Sequence, residues 1–324
     1  MKIHNKFAVK YKLNMDSPID LSVITAVTVK DKPYLKNCLT SLETAARFAG
    51  RRLNFIIIGN GIKIEKINYL HFPVRLIINK TNLGFGPSVN KAINFANKSW
   101  CILVSPDVTT QKDCLKKLIP HKIDNRTALI GPRVSDQKGK LQYSILPYPS
   151  LIQLTLEHFY LYKLFPRLFT SPLSDSKLYE TPRQVDAVAA IWWLFKRDAF
   201  HQTGGFDSRF FLYFEDVDFC KRLKEKGFEI IYNPAMRVTH LMHASTGGET
   251  DGKLYYNSLK KYLYKHHHRL SARISLLVFL TGSLFRLIFW QIFNSFNTSR
   301  ENKIRATNKI NYFRTVFRSV KAAL

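Results

Sequence analysis

Residues 204–245 read GGFDSRFFLYFEDVDFCKRLKEKGFEIIYNPAMRVTHLMHAS, and the order of residue types within them constrains the rest of the chain. Glu215, Asp216 and Asp218 open a segment with apolar residues at helical spacing, and Gly227 stands where a left-handed residue would end that helix. A short apolar strand, residues 235–239, then delivers His240, and His243 follows. Acidic residues in a first turn suit the positive end of the helix dipole, so capping alone accounts for any one of them. Asp218 and Arg222 have the spacing of a structural i,i+4 ion pair. Capping does not account for the aromatic wall at 210–214 immediately before the acids. A carboxylate emerging from such a wall has its charged form disfavoured and can act as a base toward a hydroxyl. Carboxylates, a histidine and a tightly turned backbone together suit metal-assisted or base-assisted group transfer.

Upstream, strand and helix signals alternate. Residues 22–29 (SVITAVTV) form a β-branched run, and residues 32–48 carry apolar side chains at helical spacing behind Pro33. Residues 54–59, 74–78 and 99–105 are further short apolar strands, with a helix expected at 88–97. Such strands separated by helices indicate a parallel sheet covered on both faces. Ligands of these sheets bind beyond the carboxyl ends of the strands, which directs attention to 28–31, 59–64, 79–86 and 105–109. Residues 184–196 read as one more strand. The aromatic stretch 151–169 suits a lid, an acceptor-facing loop, a membrane-touching helix or an irregular helix packed on the core.

Two motifs sit at those strand ends. Asn82 to Asn90 (NLGFGPSVN) opens a helix; its glycines allow close backbone approach to a ligand, and a helix N-terminus favours anions. A plain glycine turn before a helix reads the same way. Asp107, after Ser105 and Pro106, is placed either to hold a divalent cation on phosphate oxygens or to serve as a turn or cap residue.

The 324 residues suffice for one large α/β domain with an appendage, or for two domains. Fifty Lys+Arg against 23 Asp+Glu give a net charge of +27, which calls for an anionic partner, either nucleic acid or a membrane face. The four cysteines are dispersed and read as buried free thiols of a reducing compartment. The N-terminal MKIHNKFAVKYKLN is basic and lacks the apolar core of a secretory signal. Past Asp251 a helix at 254–265 ends in KHHHR (265–269), read as surface charge. Residues 274–293 are apolar except for Arg286 and a few polar positions, which favours a helix lying in the membrane interface, with Arg273 and Arg286 edging its apolar face. Residues 300–324 form a basic amphipathic helix, either solvated or docked on an anionic leaflet.

Taken in this order, the pieces resemble a family 2 glycosyltransferase of the GT-A fold, of the bacterial rhamnosyltransferase-like kind, over residues 22–265. The resemblance implies an α/β, Rossmann-like mixed sheet flanked by helices at 21–268. A basic extension, 1–20, precedes it and a membrane-associating helical region, 269–324, follows. It implies a nucleotide-sugar donor bound by Thr28, Asn60, Asn82, Gly84, Phe85, Gly86, Asn90 and Asp107. Asp107 would stand for the second acid of a DxD-type motif that holds Mg2+ or Mn2+, with His240 completing the metal site. Asp216 would deprotonate the acceptor hydroxyl for transfer with inversion, and Glu215 would help place the acceptor. Trp192, Gly205, Phe206, Asp207 and Phe211 would shape the sugar and acceptor pockets. The chain departs from the pattern at Val29–Lys30, at Gly59–Ile64, where the acid for the nucleobase or ribose is missing, and at Ser105. The expected activity is metal-dependent, inverting transfer from TDP-rhamnose or a UDP-hexose to a growing, lipid-linked surface polysaccharide such as lipopolysaccharide. Its place would be the cytoplasmic face of the bacterial inner membrane, held peripherally on the anionic surface. Two rivals are a catalytically degenerate member that binds sugar nucleotide or a partner, and a nucleic-acid-binding protein. The second is weakened because the basic residues concentrate at the two ends, with no recognisable nucleic-acid module.

Overall fold

The computed structural model describes residues 20–118, 126–165, 167–169, 171–241 and 251–321. His243 and all of the N-terminal extension except Asp20 lie outside them. The chain opens with β1 (Leu21–Val27), α1 (Lys32–Phe48), β2 (Leu53–Asn60), β3 (Val74–Asn79), α2 (Phe85–Ile93) and β4 (Trp100–Val104). Every residue of β1 and β4 is buried, as central strands covered on both faces require. Next come β5 (Val108–Thr110), β6 (Thr127–Ser135), β7 (Leu141–Gln142), β8 (Ile145–Leu146), α3 (Leu151–His158) and α4 (Leu161–Leu164). They are followed by β9 (Arg183–Gln184), β10 (Ala187–Val188), β11 (Trp192–Lys196), α5 (Arg197–Gln202), α6 (Glu215–Glu225) and β12 (Glu229–His240). Three helices close the described chain: α7 (Gly252–His266), α8 (Arg269–Phe296) and α9 (Arg300–Lys321).

The main sheet runs β3-β2-β1-β4-β11-β6-β12-β5. Its first four strands are parallel neighbours, β11 runs antiparallel between β4 and β6, and β12 is parallel to β6. The sheet is therefore mixed rather than purely parallel. The single strand expected at 184–196 is broken into three pieces: β9 pairs with β12, β10 pairs with β8 in a separate two-stranded sheet, and β11 joins the main sheet only after residues 189–191. The strand expected at 235–239 is instead the far end of β12. Its register against β6 shifts between Asn233 and Arg237, around Pro234, which has no N–H to give to the ladder.

Two cores fill the faces of the sheet. One gathers Val89 of α2, Phe219 of α6, Trp193, Phe200 and Phe206; the other gathers Leu35, Leu39 and Leu42 of α1 with Trp100 and Trp192. A third joins Phe210, Phe214 and Val217 to Leu154 of α3, Tyr256 and Leu259 of α7, Phe279 of α8 and Val316 of α9. All four cysteines are buried and free.

Candidate active site at the carboxyl ends of the strands

A cleft of about 600 Å³ opens where β1, β2 and β4 end. Thr28 and Asp31 line it beyond β1, Asn60 ends β2, and Ser105 to Asp107 follow β4. Asn82, Gly84 and Phe85 form one wall, residues 189–191 the floor, and Phe211 to Tyr213 with Glu215 and Asp216 the opposite wall, with His240, Asp251 and Leu254 at the rim.

Asparagine amides build the first wall. Asn60 Nδ2 donates to Asn82 Oδ1 at 2.7 Å and to the Gly84 carbonyl at 3.1 Å, while its Oδ1 accepts from Leu83 N–H at 2.9 Å and from Asn79 Nδ2 at 3.2 Å. Gly84 has φ +90°, and a Cβ there would lie 2.5 Å from the Phe211 carbonyl, which accepts from Phe85 N–H at 3.1 Å. A Cβ on Gly86 would lie 2.9 Å from Phe206 Cβ. Here the glycines admit neighbouring protein rather than ligand. Asn90 accepts from Phe206 N–H at 2.8 Å and donates to its carbonyl at 2.7 Å. Gly86, Asn90, Gly205 and Phe206 therefore lie outside the cleft, locking the glycine loop to the segment before α6, whereas Gly84 and Phe85 face it.

Thr28 donates to Asp31 Oδ2 from both N–H and Oγ1 at 2.7 Å. Asp31 is 2 % exposed, and its Oδ1 has no hydrogen-bond partner among the described residues. Nothing in the sequence singles out this carboxylate, although it lies three residues beyond Thr28 within the strand-end segment 28–31.

Asp107 and His240 come together at the far side of the cleft, with Nε2 to Oδ2 at 3.4 Å. Gln142 Nε2 donates to the His240 carbonyl at 2.9 Å, which turns Gln142 Oε1 toward His240 Nδ1 at 2.8 Å. In neutral imidazole that assignment puts the proton on Nδ1 and leaves the Nε2 lone pair facing the carboxylate. Two acceptors so close call for a proton or a cation between them, and an oriented outer partner of this kind is what metal-binding histidines have. The pair thus fits a divalent cation that also takes ligand oxygens. No group of three or more His, Cys, Asp or Glu with metal-binding geometry occurs among the described residues.

Tyr213 (φ 68°) and Phe214 (φ 66°) are consecutive left-handed residues, a strained turn that aims the start of α6 at the cleft. Asp216 accepts from Ala190 N–H at 3.2 Å and from Val217 N–H at 2.8 Å. Burial raises its pKa despite these bonds. Glu215 is 5 % exposed, and its Oε2 has no partner among the described residues. Burial first, and the Asp216 charge second, push its carboxyl well above the usual range.

The remaining acids are spent on structure. Asp218, fully buried, pairs with Arg222 at 2.8 Å, Lys265 at 2.5 Å and His266 at 2.7 Å. Arg222 also donates to the Thr203 and Gly205 carbonyls at 2.6 and 2.7 Å. His266 is therefore a buried clamp between α6 and α7, not surface charge. Asp207 lies outside the cleft, paired with Arg209 at 2.6 Å and Lys265 at 2.7 Å, and Arg209 leads in holding its carboxyl well below the usual range. Trp192 is a correction: it is 1 % exposed beneath α1 and donates to Thr110 Oγ1 at 3.2 Å, away from the cleft.

Residues 22–201, more than half of the chain, match glycosyl transferase family 2. An N-acetylglucosaminyl-diphospho-decaprenol L-rhamnosyltransferase of Mycobacterium tuberculosis is 29% identical over 303 residues, covering 88% of this chain and 97% of its own. Rhamnosyltransferase WbbL of Escherichia coli K12 is 24% identical over 169 residues, covering 49% of this chain and 61% of its own. Among solved structures, mannosyltransferase PcManGT from Pyrobaculum calidifontis, in complex with GDP-Man and Mn2+, aligns with TM-score 0.55 at 11% identity. That alignment covers 94% of this chain and 88% of the other, and at such identity it speaks for the fold.

Proposed function

The chain belongs to glycosyl transferase family 2 and is a glycosyltransferase; from that membership we propose that it moves a sugar, with inversion, from TDP-rhamnose or a UDP-hexose to a hydroxyl of a lipid-linked glycan at the cytoplasmic face of a bacterial membrane. The carrying observation is one cleft holding Asp216 on its aromatic wall and the Asp107–His240 pair at its far side. The likeness to a rhamnosyltransferase named for a diphospho-decaprenol substrate, along nearly the whole of both chains, supports rhamnose and a lipid-linked acceptor.

Asp216 takes the acceptor hydroxyl proton as that oxygen forms its bond to the anomeric carbon. The bond from that carbon to the diphosphate oxygen breaks on the opposite face, and the nucleoside diphosphate leaves with the electron pair. The N–H groups of Ala190 and Val217 orient the base. Glu215, kept protonated by burial, donates a hydrogen bond to a sugar or acceptor hydroxyl. Thr28 and Asp31 receive the nucleoside, Asp31 standing in for the acid missing after β2. Asp107 and His240 Nε2 would hold Mg2+ or Mn2+, which would supply positive charge to the diphosphate leaving group.

A thermal-shift panel with UDP, TDP and GDP, each with and without Mn2+, tests the reading, since ligand at about 100 times its Kd adds ~2.7 kcal/mol. One nucleotide should stabilise the protein in a metal-dependent way, and Asp107→Ala should remove that dependence. Asp216→Asn should keep the shift and lose transfer by roughly 10²–10⁴-fold; near-normal turnover would remove Asp216 as the base. Silence with every nucleotide would leave a family member that does not bind a donor.

A further inference from the structure

We infer that the outer face of α8 and the α3–α4 segment form one platform that seats the protein on an anionic lipid leaflet, with α8 lying in the plane of the interface. This deepens the lipid-linked reading above and rests on it for its purpose, not for its geometry. By length and composition α8 could cross a bilayer, so its packing decides. Leu270, Ile274, Leu277, Leu284, Ile288 and Ile292 lie along one side at intervals of three, four or seven residues, with Thr281 in the one gap, and are 40–62 % exposed. The opposite side, from Ala272 to Trp290, is buried along the helix. It packs against α3, α7 and α9, and a Cβ on Gly282 would lie 2.4 Å from His158 Cβ. One flank is thus covered by α9, which carries seven Lys and Arg and cannot enter hydrocarbon with it.

Arg286, the charge that interrupts the apolar sequence, leaves the apolar face intact. Its Nε donates to the His158 carbonyl at 3.1 Å and its Nη2 to the Glu157 carbonyl, and its guanidinium lies 4.3 Å from the Tyr160 ring centroid. It caps the carboxyl end of α3 instead of facing outward, which corrects the expectation that it edges an interfacial helix. The same contacts join the two parts of the platform. Phe159 and Tyr160 pack against Phe285 and Phe289 at 6.1 and 6.5 Å. Beyond them Leu164, Phe165 and Leu168 stand 51–75 % exposed.

Charge selects the occupant. Apart from the inward-turned Arg286, α8 and α9 carry nine Lys and Arg against a single acid, Glu301. Exposed Arg269 and Arg273 lie at one end of the apolar face, and Lys163 and Arg167 lie at the α4 end. An apolar face rimmed by cations suits a leaflet of anionic headgroups. The platform also sets the height of the cleft, because α7 carries the rim residue Leu254 and packs Tyr255 on Phe279 of α8 at 6.1 Å.

The experiment is flotation of the full chain with phosphatidylcholine vesicles containing about 30 % phosphatidylglycerol. The full chain should float and be released by alkaline carbonate. Leu284→Asp/Ile288→Asp, and separately Phe165→Asp, should each lower partition by about tenfold or more at an unchanged melting temperature. Undiminished flotation of both variants would overturn the platform, as would resistance to carbonate, which marks a span. So would a wild-type dimer that the variants turn into monomer with no vesicle binding, since that marks a second copy as the occupant. The nucleotide shift is read on the same preparations. Its loss with normal flotation would overturn the proposed function alone; its retention with flotation abolished in the variants supports the platform.

Discussion

Asp216 receives two backbone N–H groups and Glu215 receives none at Oε2, so burial acts on the two neighbours to different degrees. The usual glutamate value is near 4.5, and the folded Glu215 titrates above it. Between those two pH values the folded chain holds a proton that the unfolded chain has released, so stability falls as pH rises through the window. Glu215→Gln has no proton to lose there. Its stability relative to the wild type should rise on going from pH 5 toward pH 8, by at most about 1.4 kcal/mol per pH unit; melting curves at matched ionic strength read this, and a pH-independent difference would refute it. Transfer should likewise decline on the acid side above the usual aspartate value of 3.8, because burial raises the base. The order of motifs made Asp216, Asp107 and His240 legible in the sequence. Asp31 was not, because an acid just before Lys-Pro reads as a helix cap, and only the turn at Thr28 buries it. His266 was not legible either: its burial depends on Asp218, 48 residues earlier in the chain. The Trp192–Trp193 pair shows that alternation divides side chains between two faces without saying which face meets the site.

At the scale of elements, the glycine loop and the aromatic wall fix each other. Gly84→Ala places a methyl on a backbone oxygen at a positive φ, and should cost roughly 2–3 kcal/mol. Gly139 provides the comparison, having φ +78° with nothing within 4 Å of its ideal Cβ. Gly139→Ala should cost only about 1 kcal/mol. Denaturant midpoints compare the two, and equal costs would mean that the approach of Gly84 to Phe211 contributes nothing. The short apolar runs announced β1, β2 and β4 because both faces of each are buried. That same burial hid the direction of β11, since a strand covered on both sides carries no alternation to distinguish parallel from antiparallel neighbours. The break at residues 189–191 was hidden for a related reason: Ala189, Ala190 and Ile191 are as apolar as the strands they separate, yet they supply the cleft floor and the N–H that holds Asp216.

For the whole molecule, the basic C-terminal helices are part of the body that carries the site. Val316 of α9 shares a core with Phe210, Phe214 and Val217, the residues around Glu215 and Asp216. Gly252, beside the rim residue Asp251, would place a Cβ 2.4 Å from Thr315 Oγ1, so α9 seats tightly where α7 begins. A chain ending at Asn297 forfeits the burial of Ile310, Phe313 and Val316, side chains at most 7 % exposed. At about 1.5–3 kcal/mol for each, that loss is of the order of a domain's entire stability. The truncated chain should melt about 10 °C lower or more and lose its nucleotide-dependent shift. A membrane anchor that served only as an anchor would leave both unchanged when removed, so wild-type melting with a normal shift would place α9 outside the folded body. Surface substitutions on α8 therefore separate docking from folding, whereas deletion of the tail removes both together.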